Sequence, residues 1–254
     1  MSDEQEETLR QLLKKLSEIA LKGPIRTTVR GDTGVGMTLL GELGIENTSM
    51  NKSNFRGIVV TARRRAPAGT KNRVNLFAQV PDWSVSACKS SREIAERYGY
   101  DYENGNCRRL YCTSSAQHVN AQGLILEVDH GEGHLNELFV ADGVRRPVAT
   151  WRMIRLCERL RRSLPASVWV RATSLRRNGE EFFHYRECLY TGPARVEELA
   201  GLLEAGTVTI DHLIEKRDGR TNEKGPLFKM KPSNFDLLFP PGQKYDLLSS
   251  RWAD

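Results

Sequence analysis

Apolar residues in this chain recur with two different periods, and stretches of the two kinds alternate along its length. In residues 6–22, EETLRQLLKKLSEIALK, the positions Leu9, Leu12, Leu13, Leu16 and Ile19 keep the spacing that lays one apolar stripe along a helix. Gly23-Pro24 ends it, because proline cannot continue the hydrogen-bond ladder. FRGIVVTARR, closed by the break APAG, and RVNLFAQV, closed by Pro81, are β-branched runs with strand character. The pattern then predicts a helix around Ser91–Tyr98 and strands near 109–113 and 123–128. VATWRMIRLCERLRRSL reads as a strong helix with Trp151, Ile154, Leu156 and Leu160 inward. Strands over 167–172 and 181–190, a helix over 196–205 and a strand over 207–214 complete the series. No repeat, linker or low-complexity stretch interrupts it, so the alternation specifies a mixed α/β fold.

At 254 residues the chain is long for one domain and short for two. It has no apolar run of about 18 residues, the length a membrane helix needs. Its first residues, MSDEQEETLRQLLKKL, are acidic and then amphipathic, unlike a secretory signal, which points to the cytoplasm. The five cysteines (Cys88, Cys107, Cys112, Cys157 and Cys188) are odd in number and contain no C-x-x-C. Reduced thiols are therefore expected, with neither a disulfide framework nor a zinc site. The net charge is +6, and arginine pairs recur at Arg108-Arg109, Arg145-Arg146, Arg161-Arg162 and Arg176-Arg177. A polyanion, most simply nucleic acid, is the natural partner, since phosphate contacts supply most non-specific affinity. Ordinary solvated arginines are the plainer alternative.

The stretch GDTGVGMT, residues 31–38, is one side chain away from a phosphate-cradling loop, G-x-x-x-x-G-K-S/T. Gly31, Gly36 and Thr38 fit that pattern, but Met37 stands where the lysine would reach the phosphates. The preceding PIRTTVR is too polar for the buried strand that such a loop follows. The loop is not a nucleotide-hydrolysis site.

Read together with the next thirty residues, GDTGVGMTLLGELGIENTSMNKSNFRGIVVTARRR resembles the opening of the MvaI/BcnI family of type II restriction endonucleases, relatives of the mismatch-repair nickase MutH. Gly31, Thr33, Gly34, Gly36, Thr38 and Leu39 match the family block G-x-T-G-x-G-x-T-L-E. Leu43, Gly44, Ile45 and Asn47 match L-G-I-x-x-N, and Phe55, Gly57 and Ile58 match the third block, which ends in G-I-E-h-K. A weaker echo, GRTNEKGPLFKMKPSNFDLLF, lies near the other end. The resemblance implies a restriction-endonuclease-like mixed sheet flanked by helices. It also implies a catalytic lobe over residues 1–120 and a DNA-recognition lobe over 121–254, or one continuous domain.

In such enzymes carboxylates hold Mg²⁺ beside a lysine, and the metal lowers the pKa of the attacking water. Carried onto this chain, the glutamate after Thr38-Leu39 is Leu40, the aspartate before Phe55 is Asn54, and the E-x-K falls on Val59 and Thr61. None of these can ligate Mg²⁺ as a carboxylate or replace the lysine. The nearby Asp32, Glu42 and Glu46 do not restore the paired spacing, and Glu127 with Asp129 reads as a solvated strand end. The expectation is therefore a double-stranded DNA-binding protein without catalytic residues, metal or cofactor. The pocket at Leu40, Asn54, Val59 and Thr61 is expected to be empty of divalent ions. Arg63, Arg64 and Arg65, which follow the strand, and Arg220, Lys224 and Lys229 in the late segment, are the expected DNA contacts. Trp83, Trp151 and Trp169 are expected in the core. The implied setting is targeting, sensing or scaffolding in a bacterial defence system, beside an active nuclease, a methyltransferase or another subunit. Two rivals stand against it. One is an active Mg²⁺-dependent endonuclease with relocated acids; the other is an interaction subunit that no longer binds DNA.

Restoring the missing lysine, Met37→Lys, is expected to give no ATP turnover in a phosphate-release assay. Nucleotide turnover by the unaltered protein would refute the reading of the glycine stretch.

Overall fold

Ile58–Arg64 forms a strand that pairs in parallel with Ser167–Arg177, about a hundred residues later in the chain. The computed structural model describes residues 2–31, 33–45, 54–65, 73–102 and 107–249. Asp32, Glu46, Asn47 and the break at 66–69 lie outside them. Ser167–Arg177 turns at Asn178-Gly179, both at positive φ (50° and 79°), into the antiparallel partner Glu180–Thr191. That two-residue turn matches the twist of the hairpin. Ile25–Arg26 and Gln243–Asp246 pair with the outer side of Glu180–Thr191, and Asn54–Phe55 flanks Ile58–Arg64.

One face of this mixed sheet carries Ile58, Val60, Val168, Val170, Ala172, Phe183 and Tyr185, all buried. The helix Asp3–Leu21 covers it with Leu9, Leu12, Leu13 and Leu16, and the helix Gly34–Leu43 adds Leu39, Leu40 and Leu43. Each such side chain contributes about 1.5–3 kcal/mol when fully buried. Ser2 starts the first helix, its Oγ accepting the Gln5 N–H at 3.3 Å, and Asp3, Glu4 and Glu6 sit at the positive end of the helix dipole. These elements form one compact unit made of residues 1–70, 164–194 and 239–254.

The second unit, residues 71–163 and 195–238, is built on antiparallel strands. Its main sheet runs in the order Val74–Ala78, Leu227–Met230, Val208–Arg217, Cys107–Ser114 and Tyr100–Tyr102, with Arg220–Glu223 folded back on Val208–Arg217. A three-stranded meander, Leu124–Asp129, His134–Ala141 and Val144–Arg152, forms a separate sheet. The units are thus discontinuous in sequence, and the cut expected at residue 120 falls inside the second one.

The strong helix expected over VATWRMIRLCERLRRSL is a strand followed by a helix. Val144–Arg152 pairs with His134–Ala141, and only Met153–Ser163 is helical. Trp151, Leu156 and Leu160 are buried as expected, but Ile154 is 64% exposed. Ala149 and Thr150 pair with Glu137 and Asn136 of the neighbouring strand, and the β-branched Val148 and Thr150 suit that conformation. Trp151 reaches its place from the strand and donates Nε1–H to Gln79 O at 2.8 Å. Trp169 is buried, whereas Trp83 is only half-buried. All five cysteines are free thiols, and no helix among the described residues is long and apolar enough to cross a membrane.

The second unit also encloses a charged pair. The Glu137 carboxylate, fully buried on His134–Ala141, accepts from Ser114 Oγ at 2.6 Å and lies 2.9 Å from His212 Nε2. Burial alone would lower the imidazole's pKa, but Glu137 outweighs it, with smaller help from Glu223 and Asp211, and raises it above 6.5. A group with a raised folded pKa stabilises fully below its unfolded value, near 6.5, and loses that contribution as pH rises through the folded value. Removing one partner of a buried pair costs about 3–5 kcal/mol. His212→Gln is therefore expected to lower the urea midpoint strongly at pH 6. The gap from the parent should narrow by pH 9. A gap that is constant or widens with pH would contradict the charged pair.

Candidate nucleic-acid interface

The four positions where the resemblance places catalytic groups do not share an open pocket. Leu40 packs into the apolar cluster with Ile58 and Val60 and is 6% exposed. Val59, also buried, and Thr61 project from the opposite face of the strand by the two-residue alternation of β structure. Asn54 is at the surface, and its Oδ1 accepts the Gly57 N–H at 2.5 Å within the turn at Arg56-Gly57, both at positive φ. Two aliphatic groups, an amide oxygen already engaged and one hydroxyl do not fit Mg²⁺, which needs carboxylate oxygens. The acids that the sequence offered as replacements are committed to other groups. Glu42 pairs with Lys22 at 2.7 Å, and Glu127 pairs with Arg145. Asp129 accepts the Glu132 N–H at 3.0 Å in the hairpin turn, and His130 meets Glu204 at 2.7 Å. Among the described residues no three His, Cys, Asp or Glu side chains are grouped to hold a metal ion.

The face that carries Val59 and Thr61 is cationic farther along. In the parallel register Thr61 lies opposite Trp169 and Arg63 opposite Arg171. Two guanidinium groups are thereby held side by side. Burial, reinforced by the neighbouring Arg171, lowers Arg63 to about 10, so it stays charged at neutral pH. Beyond them opens a cavity of about 530 Å³ lined by Arg65, Arg171, Arg186, Glu187, Lys244 and Asp246, with Leu189 and Tyr245 in its wall. Arg186 reaches it because the register skips a residue. Arg171 pairs with Glu187 and Ala172 with Tyr185, so Arg186 is the extra residue of a β-bulge.

In the second unit, Lys229 is not a free reader of bases. Its Nζ lies 2.8 Å from Asp211 Oδ2, and Arg73 Nη2 lies 2.7 Å from Asp211 Oδ1. Burial would raise the Asp211 carboxyl, but Lys229, Thr113 and Arg73 together hold it below the usual range. Arg220 and Lys224 are exposed on and beside the Arg220–Glu223 strand. On the same sheet Arg109 is stacked 3.6 Å from the Tyr102 ring and bonds Glu215 at 2.7 Å. Arg73, Arg171, Arg186 and Lys244 gave no signal in the sequence, because it is register, not composition, that brings them to these faces.

A model of the MvaI/BcnI restriction endonuclease family matches residues 13–239. The chain belongs to the MvaI/BcnI restriction endonuclease family. Its fold is similar to the structure titled restriction endonuclease MvaI–cognate DNA substrate complex, with TM-score 0.80 and 19% identity over 97% of this chain and 99% of that one. The structure of MvaI in the absence of DNA matches with TM-score 0.57 and 18% identity over 96% of this chain and 98% of that one. No curated protein matches the sequence.

The glycine block of the MvaI/BcnI pattern is a strapped loop in this chain. It follows Ile25–Arg26, a two-residue edge strand, and not the central parallel strand of a phosphate-binding loop. Gly34 opens the helix where a Cβ would meet Val29 O at 2.4 Å, so only glycine fits. Tyr185 donates its hydroxyl to Val35 O at 2.8 Å, and Thr38 Oγ1 donates to Thr27 Oγ1 at 2.9 Å. Arg64 closes the strap. Its Nη2 bonds Gly31 O at 2.8 Å, its Nε and Nη2 each bond the Glu181 carboxylate at 3.0 Å, and its guanidinium lies 5.0 Å from the Phe183 ring.

Of the arginine triplet, then, Arg64 faces the helices while Arg63 and Arg65 face the cationic side. Hydrogen bonds to charged groups contribute about 1.5–3 kcal/mol. Arg64→Ala is expected to destabilise by about that amount in urea denaturation, whereas Arg65→Ala should stay within about 0.5 kcal/mol of the parent. Equal losses at the two positions would count against this division.

Proposed function

We propose that this protein binds double-stranded DNA through the cationic face of its first unit and does not cut it. The observation that carries the reading is the cross-strand pair of Arg63 and Arg171. It stands one step along the sheet from positions 59 and 61, where valine and threonine replace the glutamate and lysine implied by the family pattern. Cations remain where a backbone phosphate would lie, while the groups that would hold a metal and generate hydroxide are gone. The likeness to a relative solved with its cognate DNA substrate supports the same partner. Arg220 and Lys224, exposed on the second unit, are proposed as further phosphate or base contacts, whereas Lys229 is engaged with Asp211. A family member that binds without cutting serves as a targeting, sensing or scaffolding component of a bacterial defence or modification system. It would work in the cytoplasm, where its free thiols stay reduced, beside an active nuclease or methyltransferase.

Binding rests on arginine–phosphate contacts, so log affinity should fall linearly with log salt at a slope of about −0.9 per contact. Arg63→Ala with Arg171→Ala is expected to flatten that slope by about one to two units in a fluorescence-anisotropy titration. Supercoiled plasmid should stay intact with Mg²⁺ or Mn²⁺ at high protein concentration, and calorimetry should show no divalent-ion site. Metal-dependent nicking by the unaltered chain would establish the active-endonuclease rival. Salt-independent or absent DNA affinity would establish the interaction-subunit rival.

A further inference from the structure

We propose that the cavity behind Arg63 receives the terminal nucleotide of a DNA strand, with its phosphomonoester held by Arg65, Arg171, Arg186 and Lys244. The proposal rests on the DNA-binding reading and specifies which part of the DNA this site takes.

Size comes first. At about 530 Å³ the cavity lies in the range that encloses a small ligand, and it is bounded by one sheet's own strands and side chains. A continuous duplex crosses a surface, whereas a site of this size accepts a single nucleotide at a strand end.

Charge comes second. Among the described residues the lining carries four cations, Arg65, Arg171, Arg186 and Lys244, and two carboxylates, Glu187 and Asp246, a balance of +2. The Asp246 carboxylate also accepts the Leu248 N–H at 3.0 Å, and the Arg171–Glu187 pair is loose at 3.9 Å. An internal phosphodiester carries one negative charge, while a phosphomonoester carries about 1.5 to 2 at neutral pH. The excess fits the terminal group better. Arginine forks also suit the extra oxygens of such a group, which can accept paired hydrogen bonds.

The wall and the position complete the argument. Leu189 lines the same cavity and gives an apolar surface for sugar or base. Arg171 is two residues past Trp169, the cross-strand partner of Thr61. That is about 7 Å along the strand. A DNA strand whose phosphate lies beside Thr61 therefore brings its neighbouring nucleotide to the cavity mouth. Ends of this kind are what phosphodiester hydrolysis leaves, as water adds across the P–O bond to give a phosphomonoester and a hydroxyl. The class of reaction that supplies this ligand is cleavage by another enzyme.

The test compares one duplex sequence in four forms: 5′-phosphorylated, 3′-phosphorylated, hydroxyl-ended, and closed at both ends by hairpin loops. One phosphorylated form is expected to bind about tenfold or more tightly than the hydroxyl-ended and closed forms at pH 7.5. That advantage should shrink below pH about 6, where the phosphomonoester dianion takes up a proton and becomes a monoanion. Arg186→Ala with Lys244→Ala, both exposed side chains, should erase the preference, and inorganic phosphate should compete only against the phosphorylated duplex. Equal affinity for all four forms would overturn the end-binding proposal and leave the DNA-binding reading standing. A preference that survives the double substitution would overturn the assignment to this cavity. No affinity for any duplex would overturn both readings. Binding of a free mononucleotide alongside that result would identify a small-molecule anion as the occupant in place of a DNA end.

Discussion

The parallel pairing of Ile58–Arg64 with Ser167–Arg177 fixes nearly everything that follows in the first unit. It joins two stretches far apart in sequence, anchored at one end by Val59 N–H donating to Ala166 O at 2.9 Å. Its register assigns each side chain to a face. Ile58, Val60, Val168 and Val170 go under the helices, while Val59, Thr61, Arg63, Trp169 and Arg171 go to the other side. A slip of one residue would exchange the two sets, burying guanidinium groups and exposing the apolar core, at a cost no small unit can absorb. The cationic face is thus a by-product of the same register that makes the core.

That coupling explains which parts were legible in the sequence. The first helix and the β-branched 58–64 run announce themselves, because each carries its own period. The family blocks around Gly31–Thr38 are legible too, since Gly34 has a steric reason to be glycine that no tertiary partner changes. His134–Ala141 was invisible, because Glu137 at its centre reads as a solvent residue until His212 and Ser114 are seen around it. Without that strand Val144–Arg152 had no partner and was absorbed into the neighbouring helix. The triplet Arg63-Arg64-Arg65 reads as one basic cluster, yet strand alternation divides it into a structural clamp, Arg64, and two cations on the opposite face.

Membership of an endonuclease family and the side chains at its catalytic positions pull in different directions, and packing reconciles them. Leu40 and Val59 are each 6% exposed, so apolar surface has closed over positions where the family pattern places carboxylates. Converging like charges must be held together against their repulsion, whereas leucine and valine add to the core they touch. Thr61, half-buried beside Trp169, needs no partner of that kind. The sheet register holds these positions in place through the apolar groups on either side of it.

The order in which the chain is made gives the interleaved units another meaning. Ser17, on the first helix, donates its hydroxyl to Leu247 O at 2.7 Å, and Leu247 is fully buried. The helix emerges from the ribosome early, but its partners from 164–194 and 239–254 come much later. At a synthesis rate of about 5–20 residues per second, the apolar stripe of that helix waits roughly ten to fifty seconds for its last neighbour. The second unit, by contrast, lacks nothing once residue 238 is out. The first unit to begin is the last to close, and during that interval Leu9, Leu12, Leu13 and Leu16 are the surface on which a chaperone would act.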